Sequence, residues 1–503
     1  MKRIISFILA LITLSLCFSA CANTGVEDET TAADVNATPV LTDAATETDP
    51  LTDEWGRPYI ASPTADGTKF ADGTTITMLL RDDATWNREF FADSETGDIL
   101  TDAIYKRNHK LEEDLNFTFE FIESSSKDET QLTVITEYQS GGTSGLDLIS
   151  NYAAYSTVAA LRDCYENLYN IDTINISNPW WNPNYVEAAT IKDQLYFIVG
   201  DLNLTGVDRA IVIYYNATLA GSYQIGSLYD TVLDGQWTMD LLLQYTKDAW
   251  VDTNNSGIAD LPDKAGIIMG GGAESYDGFL TAFGIDMLGK TADGGLEIVW
   301  DPDKVSSAID YNIALLNEGS GAFIDSDDTT LINKFTNDEA LFWLFYIYPS
   351  AEVNQALRNM ASTYGLLPLP KYDINQQNYY TTAQNAYSTM SVMATSKHLS
   401  EVGIVFEEWN YRSYMDILPA YCEVIMKTRY LVDVESGMIF DLIRESIKFD
   451  TGMVYGHELE KIGTSTRDIV KSGTNTFAST YKVKEKVYNN RIKQLLKDFE
   501  ERQ

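Results

Sequence analysis

Oxygen-bearing side chains recur at the spacing of a calcium loop between residues 252 and 263. With Asp252 as the first position, they fall at positions 1, 3, 5, 9 and 12, and Gly257 stands at position 6, where such a loop turns sharply. The expected ligands, one of them a main-chain carbonyl, are Asp252, Asn254, Ser256, Ile258, Asp260 and Asp263. Asp263 is shorter than the usual glutamate, and no clear helix follows it. The spacing predicts a structural calcium ion, and the alternative is an ordinary turn rich in Asp and Asn.

A second set of residues has the chemistry to hold a sugar. Flat aromatic rings match the apolar faces of pyranoses, while carboxylates, amides and guanidinium groups can hydrogen-bond the hydroxyls. Residues that follow strands of an open α/β sheet point toward the crevice where ligands bind. The predicted ligand-binding residues are Arg81, Asp82, Asn151, Tyr152, Trp181, Asp201, Tyr346 and Tyr348.

Signals for catalysis are weak. His109, His398 and His457 are scattered without metal-ligand spacing, and no HExxH, Walker A or GxSxG pattern occurs in the sequence. Carboxylates are so abundant that a catalytic Asp/Glu pair stays open, and a surface glycoside hydrolase is therefore the alternative from another class. A purely adhesive protein is a third interpretation.

The elements that would position these residues begin near residue 75. Short apolar runs predict strands at 75–81, 116–123 and 146–151, and Asp98 can cap a helix with Leu100, Ile104, Leu111 and Leu115 on one side. Strands that alternate with helices indicate a parallel sheet with right-handed crossovers. The fold class is therefore α/β.

The sequence pattern changes in the middle of the chain. Two β-like runs, 194–203 and 210–216, predict the first hinge between lobes. Thr238 can cap a helix, and the run 388–395 predicts a strand that returns to the first lobe. The chain ends in a helix with Tyr488, Ile492, Leu495 and Phe499 on one face.

Composition excludes some partners and leaves one question open. The chain of 503 residues is too long for a single core, and its net charge of −38 repels nucleic acid. The sequence contains 30 tyrosines, so some aromatic rings are available to contact a ligand. Cys164 and Cys422 have no CxxC spacing, so the sequence leaves open whether they pair.

The first residues direct the chain out of the cytoplasm. Lys2 and Arg3 precede an apolar run that is too short to span a bilayer, which predicts a signal peptide over residues 1–20. Cys21 follows Ser19-Ala20 and resembles the acylated cysteine of a bacterial lipobox, which would anchor the chain to the outer face of the cytoplasmic membrane. An ordinary secretory signal is the alternative. Residues 21–71, rich in Thr, Ala, Asp and Glu, predict a disordered tether.

Several short motifs occur together in a familiar order. They are the lipobox, Trp180-Trp181, Gly200-Asp201, Trp237-Thr238, the loop at Asp252, Tyr364–Lys371 and Lys427–Tyr430. Together they resemble the family 1 extracellular solute-binding proteins, the carbohydrate-type receptors of bacterial ABC importers, over most of residues 72–460. The resemblance implies a two-lobe type II periplasmic-binding-protein fold, no catalysis and an ABC permease as partner.

These observations define one expected architecture. We expect lobe 1 to comprise residues 72–202 and 386–430, and lobe 2 to comprise residues 203–385 and 431–503. The expected protein is a monomeric receptor that captures a carbohydrate, an oligosaccharide in particular, in the cleft between the lobes and delivers it to a permease.

Overall fold

The computed structural model describes residues 52, 57–81, 84–348, 351–427 and 434–502. The predicted signal peptide, Cys21 and Asp82 lie outside these residues. The chain divides into two units, Met1–Ile60 and Ala61–Gln503. In the first unit an isolated antiparallel bridge joins Thr52 and Pro58. Among the described helices, none combines the length and the apolar content that a membrane span requires.

The second unit is a mixed α/β structure. Its strands are β1 (Thr75–Leu80), β2 (Thr118–Glu123), β3 (Leu148–Tyr152), β4 (Ile211–Asn216), β5 (Ala265–Met269), β6 (Leu288–Lys290), β7 (Leu296–Ile298), β8 (Ala322–Ile324), β9 (Ala340–Tyr346), β10 (Tyr364–Leu367), β11 (Thr381–Thr382), β12 (Ser388–Val392) and β13 (Ile447–Lys448). Its α-helices are α1 (Ala84–Asn87), α2 (Ile99–Leu115), α3 (Lys127–Gln139), α4 (Ala153–Ala160), α5 (Pro183–Ala189), α6 (Thr205–Asp208), α7 (Ala217–Ser222), α8 (Leu228–Leu233), α9 (Met239–Ala249), α10 (Glu274–Ala282), α11 (Pro302–Leu316), α12 (Asp328–Thr336), α13 (Ala351–Asn359), α14 (Leu399–Arg412), α15 (Val434–Glu445), α16 (Thr451–Val454), α17 (Arg467–Lys471) and α18 (Phe477–Glu500).

The first sheet has the strand order β12-β3-β1-β2. Strand β1 is parallel to both β2 and β3, which confirms the predicted parallel arrangement of these strands. Strand β12 is antiparallel to β3, with Ser388 opposite Tyr152, so the late strand does return to this sheet as predicted.

Local sequence accounts for the first crossover helix. Asp98 accepts hydrogen bonds from the backbone N–H groups of Leu100 and Thr101, which satisfies two orphan donors at the start of α2. The predicted apolar side, from Leu100 to Leu115, is buried. The helix ends at Asn116, whose left-handed backbone (φ 59°) turns the chain into β2.

The second sheet has the strand order β10-β4-β9-β5-β8. Strand β5 is parallel to β8 and β9, whereas β4 is antiparallel to β9 and β10. Strand β9 reads Ala-Leu-Phe-Trp-Leu-Phe-Tyr and is buried until its last residue, because helices α10 and α12 pack against it. A continuous apolar run of this kind is typical of a strand covered on both faces.

Two segments connect the sheets and lie side by side. Residues 201–210 lead from the first sheet to β4, and residues 383–388 lead back to β12. The backbone N–H of Gln384 donates to the carbonyl of Arg209 (2.9 Å), and that of Ser388 donates to Oγ1 of Thr205 (2.9 Å). The run 194–203, predicted as a strand, instead forms only isolated bridges at Gln194, Ile198 and Gly200.

The ends of the folded part also differ from the sequence prediction in places. Ser62 donates to Glu408 (2.7 Å) and the backbone N–H of Phe70 donates to Leu115 (2.7 Å), so the folded part begins before residue 72. Thr238 precedes α9 as predicted, but its side chain makes no capping bond. The predicted apolar face of the last helix is buried, with Tyr488, Ile492, Leu495 and Phe499 inside. Cys164 and Cys422 are buried free thiols.

Candidate functional site

Strand ends from both sheets meet at one cleft. Strand β1 ends at Leu80, directly before Arg81, while β3 ends at Tyr152 and β9 ends at Tyr346. Arg209, just before β4, joins the two sides: Cζ of its guanidinium lies 3.8 Å from the ring centroid of Trp86 and 4.9 Å from that of Tyr346. Trp86 lies in α1, shortly after strand β1 of the first sheet, and Tyr346 is the last residue of β9 in the second sheet. The cleft therefore lies between the sheets, at the crevice that open α/β folds use for ligands.

Arg81 forms the floor on the side of the first sheet. It is fully buried, and its Cζ atom lies 3.3 Å from the ring centroid of Tyr152. Its Nη1 atom donates to the carbonyl of Ala386 (2.6 Å) and to Oγ of Ser388 (3.1 Å). Its Nε and Nη2 atoms have no hydrogen-bond partner in the part of the chain that the structure describes. A buried guanidinium with two unused donors is an unsatisfied group.

Arg209 is half-buried and makes cation–π contacts rather than ion pairs. Its Nε atom is buried and has no hydrogen-bond partner among the described residues. Burial lowers the pKa of Arg209, and the nearby Arg81 guanidinium lowers it further. The ring of Trp86 holds the guanidinium plane in place, since aromatic faces attract cations.

A tyrosine–glutamate pair forms the opposite wall. The hydroxyl of Tyr346 donates to Oε2 of Glu274 (3.0 Å), and Oε1 of Glu274 accepts from the backbone N–H of Gly272 (3.2 Å). A Cβ atom at Gly272 would collide with this carboxylate, so a larger residue there would displace the Glu274 side chain. Burial raises the pKa of Tyr346 well above its ordinary value, and the charge of Glu274 raises it further. Tyr346 is thus a neutral hydrogen-bond donor at physiological pH.

A cavity of about 220 Å³ opens beside these groups. Its lining includes Ala154 next to Tyr155, Ala273 next to Glu274, and Gln384 and Asn385 of the returning segment. Arg467 also lines the cavity and forms a bidentate ion pair with Asp277, with Nε 2.9 Å from Oδ1. The polar side chains around this partly enclosed space, among them Gln384, Asn385 and Arg467, suit the binding of a small polar ligand.

Comparison with known proteins found no matching family model and no matching curated protein. Solved structures do match. The GacH receptor of Streptomyces glaucescens GLA.O, solved unliganded and in complex with acarbose, superposes with a TM-score of 0.52 at 14% identity, over 82% of this chain and 98% of that chain. The galacto-N-biose-/lacto-N-biose I-binding protein of the ABC transporter from Bifidobacterium longum, in complex with lacto-N-biose, gives 0.51 at 14% identity, over 82% and 98%. A cyclo/maltodextrin-binding protein complexed with maltotetraose gives 0.51 at 13% identity, over 85% and 98%.

This chain has the two-lobe solute-binding fold. The predicted fold class is confirmed. Because the sequence identities are only 13–14%, this similarity concerns the fold alone. Arg81, Arg209 and Tyr346 lie where strand ends of the two sheets approach each other, and the lobe boundaries stay a prediction.

The structure brings some of the predicted ligand-binding residues together. Arg81 contacts Tyr152, and Tyr346 contacts Arg209, so these residues lie close to one another beside the cavity, although none of them is part of its lining. Their role in ligand binding stays a prediction. Asn151 is buried behind them, where its Oδ1 accepts from the backbone N–H of Tyr152 (2.8 Å). Asp82 lies outside the described residues.

Other predicted residues lie elsewhere in the solute-binding fold. Trp181 is in the core rather than the cleft, because its indole N–H donates to the buried carboxylate of Glu407 (2.9 Å). Asp201 lines a separate pocket of about 120 Å³. Tyr348 lies beside the connecting segments, with its ring centroid 4.3 Å from Cζ of Arg88, which pairs with Asp208 (2.6 Å).

The predicted calcium loop has the expected turn. Asp252 accepts from the backbone N–H groups of Ser256 (3.1 Å) and Gly257 (2.9 Å), and Gly257 has a positive φ of 77°. Asp263, however, is buried and accepts from the indole of Trp250 (3.1 Å) and the backbone of Thr253 (2.8 Å). The described residues contain no group of three or more acidic, His or Cys side chains that could hold a metal ion.

The remaining predicted ligands of that loop bond to one another. Asn254 donates to Asp260 (2.8 Å), and Ser256 donates to the carbonyl of Ile258 (2.9 Å). The geometry therefore fits calcium only in part, since the carboxylate at position 12 faces Trp250. Calcium binding at this loop stays a prediction.

Sequence reasoning missed Trp86, Arg209, Glu274, Asn385 and Arg467. For Arg209 a signal was present, because it stands directly before the run 210–216 that the sequence identified as a strand. Glu274 lies shortly after three glycines that follow β5, and this five-residue strand was not recognised from the sequence. Trp86 and Arg467 had no local signal.

Proposed function

We propose that this chain is the solute-binding receptor of an ABC importer and that it holds an oligosaccharide between its lobes without changing it chemically. The observation that carries this proposal is the fold: proteins with the same architecture over more than four-fifths of this chain were solved with acarbose, lacto-N-biose or maltotetraose bound. The cleft of this chain follows strand ends, which is where open α/β folds bind ligands.

The chemistry of the cleft supports a sugar. The rings of Trp86, Tyr152 and Tyr346 offer flat apolar faces, which can stack on pyranose rings. The amides of Gln384 and Asn385 line the cavity and can each donate to and accept from hydroxyl groups.

The alternative of a glycoside hydrolase finds little support at this cleft. Such enzymes use two carboxyl groups that are free to exchange protons with substrate or water. Here Glu274 is engaged by Tyr346 and Gly272, and Asp277 is engaged by Arg467. Binding without turnover is the simpler use of these groups.

Attachment to the membrane is part of the proposal and is supported by the sequence. Acyl chains on Cys21 would hold the receptor at the outer face of the cytoplasmic membrane, within reach of a permease. Expression in a bacterial host with labelled fatty acid should label the wild-type chain and leave Cys21→Ser unlabelled. Equal labelling of both chains would contradict the anchor.

A thermal-shift screen tests the binding function. The mature chain is mixed with neutral and acidic oligosaccharides, amino acids and peptides, and a ligand that binds only the folded state raises the melting temperature. We expect oligosaccharides to stabilise the protein and chromatography to recover them unchanged. Stabilisation by peptides alone would refute the sugar, and cleavage products would favour the hydrolase.

A further inference from the structure

The charge of the cleft is opposite to the charge of the chain. The sequence contains 74 acidic and 36 basic residues, yet the lining of the cavity contains Lys461 and Arg467, the latter paired with Asp277 behind the lining, and, among the described residues, no carboxylate. Arg81 and Arg209 lie directly behind this lining. Arg81 donates to the carbonyl next to Asn385, and the carbonyl of Arg209 accepts from Gln384.

The nearby carboxylates compensate these two arginines only in part. Buried Glu89 acts electrostatically on Arg81, and buried Asp208 acts on Arg209, but neither carboxylate is hydrogen-bonded to them. Glu274 is occupied by Tyr346 and Gly272, and Asp277 by Arg467. Neither Arg81 nor Arg209 forms an ion pair with any described residue, and three of their buried nitrogen atoms lack an acceptor. Arg88, by contrast, pairs with the buried Asp208 (2.6 Å).

Two guanidinium groups of like charge in one partly buried site are unfavourable unless an anion joins them. The Arg81 charge already acts on Arg209, whose pKa it lowers together with burial. A neutral ligand that closed the cleft would remove water from both cations and supply no counter-charge. A carboxylate would supply it, and its two oxygens match the planar fork of an arginine.

We propose that the carbohydrate held in this cleft carries a carboxylate, as uronic acids do, and that Arg209 receives that group. This inference rests on the proposed function and narrows its substrate class. Arg209 is suited to the role because it is half-buried and oriented by the rings of Trp86 and Tyr346. Arg81, fully buried beneath Tyr152, adds to the positive field from below.

Calorimetry on the mature chain tests the inference with three probes of equal length. These are trigalacturonate, its fully methyl-esterified form and a neutral galactotriose. Because hydrogen bonds to charged groups are among the stronger ones, we expect trigalacturonate to bind about 10- to 100-fold more tightly than the ester. The ester keeps the ring and loses the charge, so it isolates the carboxylate.

Variants at Arg209 then assign the contact. Arg209→Gln should reduce the preference for trigalacturonate over the ester about tenfold or more. Arg209→Lys keeps the positive charge but loses the planar guanidinium group, so it should retain part of that preference. Arg358→Gln removes an equal charge from an exposed site on α13 and should change nothing. Circular dichroism confirms that each variant is folded.

The possible failures are distinguishable. If the three probes, or neutral oligosaccharides from the wider screen, bind with no preference for the acid, the inference is refuted and the receptor function stands. If Arg209→Gln keeps the full preference for the acid, Arg209 does not receive the carboxylate and the inference is also refuted. If no carbohydrate binds at all, both the inference and the proposed function are refuted.

Discussion

The carboxylate of Glu407 is surrounded by four hydrogen-bond donors. Its Oε1 accepts from the indole of Trp181 (2.9 Å) and the backbone N–H of Asn175 (2.7 Å). Its Oε2 accepts from the indole of Trp180 (3.0 Å) and the side chain of Asn178 (2.9 Å). Replacing Glu407 by Gln turns one of these oxygens into an NH₂ group, which would then face two donors.

The structure sets the size of the effect. Each buried donor that loses its acceptor costs roughly 1–3 kcal/mol, so two donors give about 2–6 kcal/mol. Burial raises the pKa of Glu407, which means that the charged carboxylate is itself costly to bury, and a neutral amide recovers part of that cost. We therefore expect Glu407→Gln to lower the free energy of unfolding by about 2–4 kcal/mol.

Urea unfolding, followed by tryptophan fluorescence at neutral pH, measures this change as a shift of the midpoint at constant slope. Glu401→Gln is the matched control, because Glu401 is on the same helix α14 and, among the described residues, accepts no hydrogen bond. It should change the free energy of unfolding by about 0.5 kcal/mol or less. A Glu407→Gln midpoint equal to that of the control would refute a structural role for the tryptophan pair.

Three further predictions concern the cleft, a buried acid and the loop at Asp252. Trp86→Ala should weaken binding of the identified sugar about 3- to 10-fold in calorimetry, because the stacking platform is lost, and an unchanged affinity would contradict that placement. Burial raises the pKa of Glu89 from 4.5 to about 7, so the folded state holds a proton that the unfolded state releases over this range, and stability should fall as pH rises from about 4.5 to 7. Glu89→Gln should flatten the plot of unfolding free energy against pH in that range. An unaltered slope would mean that other titrating groups cause the pH dependence. A chelator should lower the melting temperature if the loop binds calcium, and Asp252→Ala should remove that sensitivity; no effect on the wild type would mean an ordinary turn.

Local patterns were sufficient for the elements of the first sheet. The apolar run of β1, the Asp98 cap of α2 and the alternation of β2 are signals that a few neighbouring residues determine. The run 194–203 failed because its apolar residues are buried by distant rings, as Phe197 is by Tyr455, and burial alone does not impose strand pairing.

The cleft was predictable only where it follows strand ends. Arg81, Tyr152 and Tyr346 were predicted in that way, since residues that follow strand ends of an open α/β sheet face the crevice, and the structure places them beside the cavity. Trp181 could not be assigned to the core from sequence, because the carboxylate that binds it is 226 residues away. Arg209 and Trp86 likewise become a site only when the fold brings them together.

The two connecting segments, 201–210 and 383–388, are joined along their length. Bonds at Arg209–Gln384 and Thr205–Ser388, with a bridge between Ala210 and Ala383, tie the returning segment to the short helix α6 and to the residues that follow it. Segments bonded to each other in this way move together, so a shift of one sheet against the other must deform both connections at once. The backbone of Arg209 belongs to these tied connections and its side chain contacts Trp86 and Tyr346, which means that a ligand that displaces the guanidinium also loads the link between the sheets.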